Sequence, residues 1–108
     1  MRRNGTPRDF VSAVKLARKL SLALAKNRLH REMKNFTRPN LLIIDEVGYL
    51  ALDPTQASLL FQVISQRYDH GGSVVLTSNK AFGEWAHVFN GDPVMAIAAL
   101  DRLLPSRS

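Results

Sequence analysis

Leu41-Leu42-Ile43-Ile44-Asp45-Glu46 is the stretch on which the fold turns. Four aliphatic residues run without alternation, the pattern of a strand buried on both faces of a parallel sheet. Two carboxylates then end it, and a sheet interior would not hold them. They belong at the strand's carboxyl end, the rim where open parallel α/β sheets bind ligands. Successive strand residues point to opposite faces, so the pair can divide its work. One carboxylate can hold a magnesium ion through water while the next orients or deprotonates an attacking water, the division a Walker B site uses. The plain alternative is a strand-to-loop transition with solvated acids.

The flanking segments switch between helical and strand patterns. Upstream, residues 1–8 are polar with Gly5 and Pro7 and read as a loose start. Phe10-Val11 closes a short strand, and Ser12 is placed to cap a helix carrying Ala13, Leu16, Ala17, Leu20, Ala23 and Leu24. A second basic helix uses Leu29, Met33 and Phe36 and stops before Pro39. Downstream, Asp53-Pro54 is a strong helix start. Ala57, Leu60, Phe61, Ile64 and Tyr68 make its apolar stripe up to the Gly71-Gly72 stop. Val74-Val75-Leu76 is a further strand ending at Thr77-Ser78-Asn79, and a short helix carries Trp85 and Val88. Asp92-Pro93 starts a last helix with Val94, Ile97, Ala98 and Leu100 as its predicted core residues. Strands alternating with helices predict an α/β fold whose parallel sheet is covered on both faces.

With 108 residues, the chain has room for one domain. It has no Cys, which excludes disulfides, thiolate zinc sites and Cys nucleophiles and fits a cytoplasmic setting. No apolar run is long enough to cross a membrane, and no signal-peptide core follows Arg2-Arg3. The net charge of +6 is unevenly spread. Residues 1–40 carry 11 basic residues against Asp9 and Glu32, a balance of +9, and the remainder carries −3. Such a basic half suits contact with a polyanion, and a solvated helix face is the plain alternative.

Other chemistries find no support. His30, His70 and His87 have no ligand spacing and read as solvent-facing. Ser12, Ser58 and Ser78 lack the G-x-S-x-G context of a serine hydrolase. Trp85, near Phe82 and Phe89, reads as local packing. Asn79, at the end of the strand after the acids, can read a phosphate or position a water. Arg102 fits either an arginine finger or a surface pair with Asp101. The phosphate-cradling motif G-x-x-x-x-G-K-[ST] does not occur in these 108 residues.

LLIIDEVGYL over Leu41–Leu50, Asp53-Pro54, FQVISQRY over Phe61–Tyr68, LTSNK over Leu76–Lys80, FGEW over Phe82–Trp85, GDPV over Gly91–Val94 and LDRLL over Leu100–Leu104 together resemble the IstB-like ATP-binding proteins. These are AAA+ helper ATPases of insertion-sequence transposition, related to DnaC-type helicase loaders. The resemblance runs over about residues 9–104. It implies a partial P-loop NTPase (AAA+) three-layer sandwich with a parallel sheet, lacking the first core strand and the Walker A loop. It also implies that residues 1–108 are one partial AAA+ domain, with 105–108 a tail unlike the family's continuation, and so a fragment inactive alone. By the same resemblance Asp45 is the Walker B magnesium aspartate, Glu46 the catalytic glutamate, Asn79 sensor 1 and Arg102 a finger acting in trans. The implied cofactors are ATP and Mg, and the implied partners are DNA, a transposase and a second copy or full-length homologue. Lys15, Arg18, Lys19, Lys26, Arg28, Arg31 and Lys34 are the candidate DNA contacts. The alternatives are a helicase-loader fragment and a non-catalytic DNA-binding or dominant-negative interaction module. Gly48-Tyr49-Leu50 and Ser78-Asn79-Lys80 favour the transposition branch over the loader.

Overall fold

The computed structural model describes residues 8–103; most of the loose start and the whole 105–108 tail lie outside the described residues. The order is β1 (Arg8–Ser12), α1 (Ala13–Ala25), α2 (Leu29–Thr37), β2 (Leu41–Val47), α3 (Pro54–Asp69), β3 (Ser73–Ser78), a 3₁₀ turn (Phe82–Glu84), α4 (Trp85–Val88) and α5 (Pro93–Leu103). The strands form a parallel sheet in the order β1-β2-β3, with the Leu41–Val47 strand in the middle.

Local chemistry sets the helix ends. The Ser12 hydroxyl accepts from Lys15 N at 3.2 Å, so β1 turns directly into α1. Asp53 Oδ1 accepts from Gln56 N at 2.7 Å while Gln56 Oε1 accepts from Asp53 N at 3.1 Å, a complete capping box at the head of α3. At the end of α1, Arg28 N donates to Ala23 O and Asn27 N to Leu24 O, with Asn27 at φ 58°. This Schellman turn, with Asn in the glycine position, swings the chain into α2.

The two faces of the sheet differ. Val11, Leu42 and Ile44 are buried, and Val74 and Leu76 pack against the same core beneath α1 and α3. On the opposite face Phe10, Ile43 and Val75 line up in one cross-strand row. Phe10 is 64% and Val75 47% exposed. Cover on both faces, expected from the unbroken aliphatic run, is therefore not present among the described residues. Leu41 and Ile43 are half-buried while Leu42 and Ile44 are fully buried.

Two helices depart in part from the predicted faces. In α5 the buried residues are Ala96 and Ala99, with Met95, Leu100 and Leu103 packed against the core. Val94 and Ile97 are 75% and 67% exposed. That helix is apolar nearly all round, so periodicity alone did not select its face; the small Ala residues go inward, where α3 and α4 approach. In α3 the predicted Ala57, Leu60 and Ile64 are buried and Phe61 packs against the core, but the stripe is wider. Leu59, Val63 and Arg67 are buried, and Tyr68 is exposed. The helix lies between α1 and α5 as well as on the sheet, which buries more than one narrow stripe. Trp85 and Phe89 do pack together, with ring centroids 6.1 Å apart, and Phe61 meets Phe89 edge-on at 6.5 Å. His30, His70 and His87 are all exposed, as expected.

Candidate functional site

The end of β2 is not a regular strand. Ile44 pairs with Leu76 and Val47 with Ser78, so three residue steps on β2 face two on β3. The extra residue is a β-bulge at Asp45-Glu46. Its mark is that Ile44 and Val47, an odd number of residues apart, are both completely buried. Simple alternation, the basis for expecting Asp45 and Glu46 on opposite faces, is thus interrupted at these two residues. Glu46 instead takes a left-handed backbone, φ 60°, which a glutamate rarely adopts.

Thr77 holds the bulge from the neighbouring strand. Its hydroxyl accepts from the Glu46 N–H at 3.0 Å and donates to Asp45 Oδ1. Ser78 adds a second tie: its hydroxyl donates to Val47 O at 2.6 Å and accepts from Lys80 N at 3.0 Å. Gly48 follows with φ 91°. A Cβ there would stand 2.7 Å from Lys80 Cγ and 3.4 Å from both Asn79 Oδ1 and Val88 Cγ2. Asp45, Glu46 and Asn79 are therefore gathered at the carboxyl ends of adjacent strands. Glu46 and Asn79 are exposed and Asp45 is half-buried.

The donors gathered here are all oxygens: two carboxylates, a hydroxyl and an amide carbonyl. Hard oxygen donors suit Mg²⁺, which keeps much of its water and takes one or two protein carboxylates together with substrate phosphates. Among the described residues no group of three or more His, Cys, Asp or Glu can hold a metal alone. The donor set thus fits a cation shared with a bound phosphate ligand.

Arg102 lies elsewhere. Its guanidinium stacks over Phe61 and Tyr68, 5.4 and 5.8 Å from the ring centroids, and Nη1 donates to Ala98 O at 3.0 Å. With Tyr68, Gly72 and Ser73 it lines a cavity of about 340 Å³ at the amino end of β3. Asp45 and Asn79 are at the other end of the sheet, so Arg102 does not join them within one chain. The side chain is an aromatic-stacked cation, not half of a surface pair with Asp101.

The basic residues share a different surface. Lys15, Arg18 and Lys19 on α1, Lys26 and Arg28 at the Schellman turn, and Arg31 and Lys34 on α2 are all exposed. Lys19, Lys26, Arg28 and Arg31 line a groove of about 340 Å³ between the helices, with Glu32 the one carboxylate in it.

Two residues with clear roles carried weak sequence signals. Thr77 is one of several β-formers in its strand, and only its hydrogen bonds across the strands reveal that it faces the acids. Arg67 is completely buried, which its place in a charged-looking helix end did not announce. Its Nη1 donates to Phe36 O at 3.1 Å, and Nη2 to Asn40 O at 3.2 Å and Ser73 O at 2.7 Å. Desolvation by burial pushes its pKa below the ordinary arginine value.

The parallel β1-β2-β3 sheet with helices between the strands, acids near the end of the middle strand and an amide after its neighbour, is a partial AAA+ fold. Domain III of the replication initiation protein DnaA from Thermotoga maritima superposes with a TM-score of 0.73 at 14% identity, covering 90% of this chain and 39% of that one. AMPPCP-bound DnaA from Aquifex aeolicus gives 0.71 at 18% identity, over 86% and 29%. The particular family comes from sequence: residues 1–107 match the model of the IstB-like ATP binding proteins, and the chain belongs to that family. A protein named for ATP binding in insertion sequence IS5376 of Geobacillus stearothermophilus is 50% identical over 95 residues, 88% of this chain and 37% of the relative. Its counterpart in IS21 of Pseudomonas aeruginosa is 42% identical over 95 residues, 88% of this chain and 35% of the relative. The chain thus spans little more than a third of the length of these relatives.

Proposed function

We propose that this chain carries the Walker B and sensor 1 part of an ATP-binding helper of insertion-sequence transposition, joined to a DNA-contacting basic face. The observation that carries the proposal is the Asp45-Glu46 pair beside Asn79 at adjacent strand ends, in a chain of the IstB-like family. MgATP, held with the help of a phosphate loop that these 108 residues do not carry, would supply the phosphoanhydride to be cleaved and the cation that neutralises its phosphates. Asp45, oriented by Thr77, is the carboxylate that would hold that cation. Glu46, exposed beside it, orients the attacking water and accepts its proton. Asn79 holds the water or the terminal phosphate through its amide. Arg102, at the far end of the sheet, reaches a nucleotide only across subunits, which makes a second copy or a full-length homologue the partner for its charge. A transposase is the protein this helper serves, and the cytoplasm its setting.

These 108 residues carry no phosphate-loop motif. Calorimetric titration of the chain with MgATP is accordingly expected to show no micromolar binding. Micromolar affinity would overturn this division of labour.

A second reading, a DNA-contacting module without catalysis, draws on the seven exposed cations of α1, α2 and the turn between them. If the four groove cations each neutralise one phosphate, raising salt from about 50 to about 200 mM weakens duplex binding about 150-fold. Fluorescence anisotropy with labelled duplex DNA measures this. No binding at low salt would reduce the basic face to a solvated surface.

A further inference from the structure

We propose that Thr77 is a positioning residue for the acid pair, and that its hydroxyl rather than its bulk fixes where both carboxylates stand. The proposal rests on the reading of Asp45 as a cation ligand given above. The Glu46 N–H falls at a bulge, where the extra residue interrupts the regular ladder with β3. Thr77 Oγ1 accepts from that donor at 3.0 Å and donates its own O–H to Asp45 Oδ1. One atom therefore acts on both acids at once. It holds the backbone of one in a left-handed conformation and the carboxylate of the other in a fixed direction.

The chemistry of the arrangement is directional. Because Thr77 donates to Oδ1, that oxygen of Asp45 has one acceptor site occupied, and Oδ2 is the oxygen presented for a cation or its water. A hydroxyl that accepts from an N–H is polarised toward donating, so the two bonds strengthen one another. Without the hydroxyl, Glu46 loses the tie across the strands that offsets its strained backbone. Its carboxylate then samples other directions along with its φ. Ser78 makes a neighbouring tie of the same kind, but to the Val47 carbonyl and the Lys80 amide, and it touches neither acid. It is the natural control.

The test compares Thr77→Val, Thr77→Ser and Ser78→Ala in the full 108-residue chain, by amide hydrogen exchange and by Mn²⁺ line broadening of the amides at residues 45–48. Mn²⁺ is the probe because it takes the same oxygen donors as Mg²⁺, and its line broadening reports the weak contact that these carboxylates make without a phosphate ligand. In Thr77→Val, exchange at the Glu46 amide is expected to rise about tenfold, the scale of one net hydrogen bond, while Leu42 and Ile44 keep their protection. Mn²⁺ affinity is expected to fall about tenfold, the lower end of the loss seen when support behind a metal ligand is removed. Thr77→Ser, which keeps the oxygen, is expected to restore both readouts, and Ser78→Ala to leave both in place.

An unchanged Thr77→Val in either readout overturns the proposal. So does Thr77→Ser behaving like valine, because the methyl group would then be what matters. Asp45→Asn separates the two levels of inference. If Mn²⁺ broadening survives it, the cation role of Asp45 fails, while the exchange data still judge the Thr77 clamp on their own.

Discussion

Arg67→Ala is expected to lower the unfolding free energy by about 4 kcal/mol. Each of three backbone carbonyls, at Phe36, Asn40 and Ser73, accepts from the guanidinium. Leaving a buried acceptor unpaired costs about 1–3 kcal/mol, which applies in full at Phe36 O and less at the half-buried Asn40 and Ser73 contacts. Asn40 O keeps a bond from Ser73 N at 3.2 Å, so two of the three carry most of the loss. The cavity left by the aliphatic stem adds to it, while removing a desolvated charge works in the opposite sense. Against a total stability of about 5–15 kcal/mol for a domain, the net effect is large. With a urea m value of about 1.3 kcal/mol/M, the midpoint falls by about 3 M.

Arg67→Met separates the contributions. It keeps the stem and deletes both the charge and the donors, so a loss of about 2 kcal/mol is expected. Gly72 reports on the same clamp from the other side, because a Cβ there would stand 2.8 Å from Nη2. A loss below about 1 kcal/mol for Arg67→Ala would mean that the guanidinium is dispensable. Arg67 ties the end of α2, the approach to β2 and the start of β3 to α3, so its removal loosens the strand that carries Thr77 and Asn79.

The parts of this molecule that were legible in its sequence are those set by local chemistry. Ser12, Asp53-Pro54 and the Gly71-Gly72 stop fix helix ends through caps and turns that involve neighbours only. The aliphatic run ending in Asp45-Glu46 placed the middle strand and its rim because desolvation forbids charge further in. What stayed hidden depends on partners distant in sequence. The face of α5 was ambiguous because Val94, Ile97, Ala96 and Ala99 are all apolar, and the choice falls to the helices it meets. Arg67 is buried because carbonyls 6 to 31 residues away converge on it. The bulge at Asp45-Glu46 is a property of the pairing between β2 and β3, so neither strand shows it alone. The same holds for Thr77. The acids announced themselves by type, whereas the residue holding them did so only by position.

Gly48→Val is expected to cost about 4 kcal/mol and to disturb the site directly. Two effects coincide at this glycine. Its φ of 91° excludes a β-branched residue, and the space beside it is taken by Lys80, Asn79 and the buried Val88. Gly91 allows the two effects to be separated, because its φ is 78° and nothing lies within 4 Å of its would-be Cβ. Gly91→Ala therefore measures the backbone penalty alone, about 1–2 kcal/mol. Gly48→Ala carries the same penalty plus the crowding and is expected to lose about 1 kcal/mol more, with valine further still. Thermal or urea unfolding of the three variants gives the energies, and the side-chain amide resonances of Asn79 report whether the neighbour has moved. Equal losses for Gly48→Ala and Gly91→Ala would show that Lys80 and Asn79 step aside freely. In that case the amide is not held against the turn after the acids, and its place in the site would have to be set by a ligand rather than by the fold.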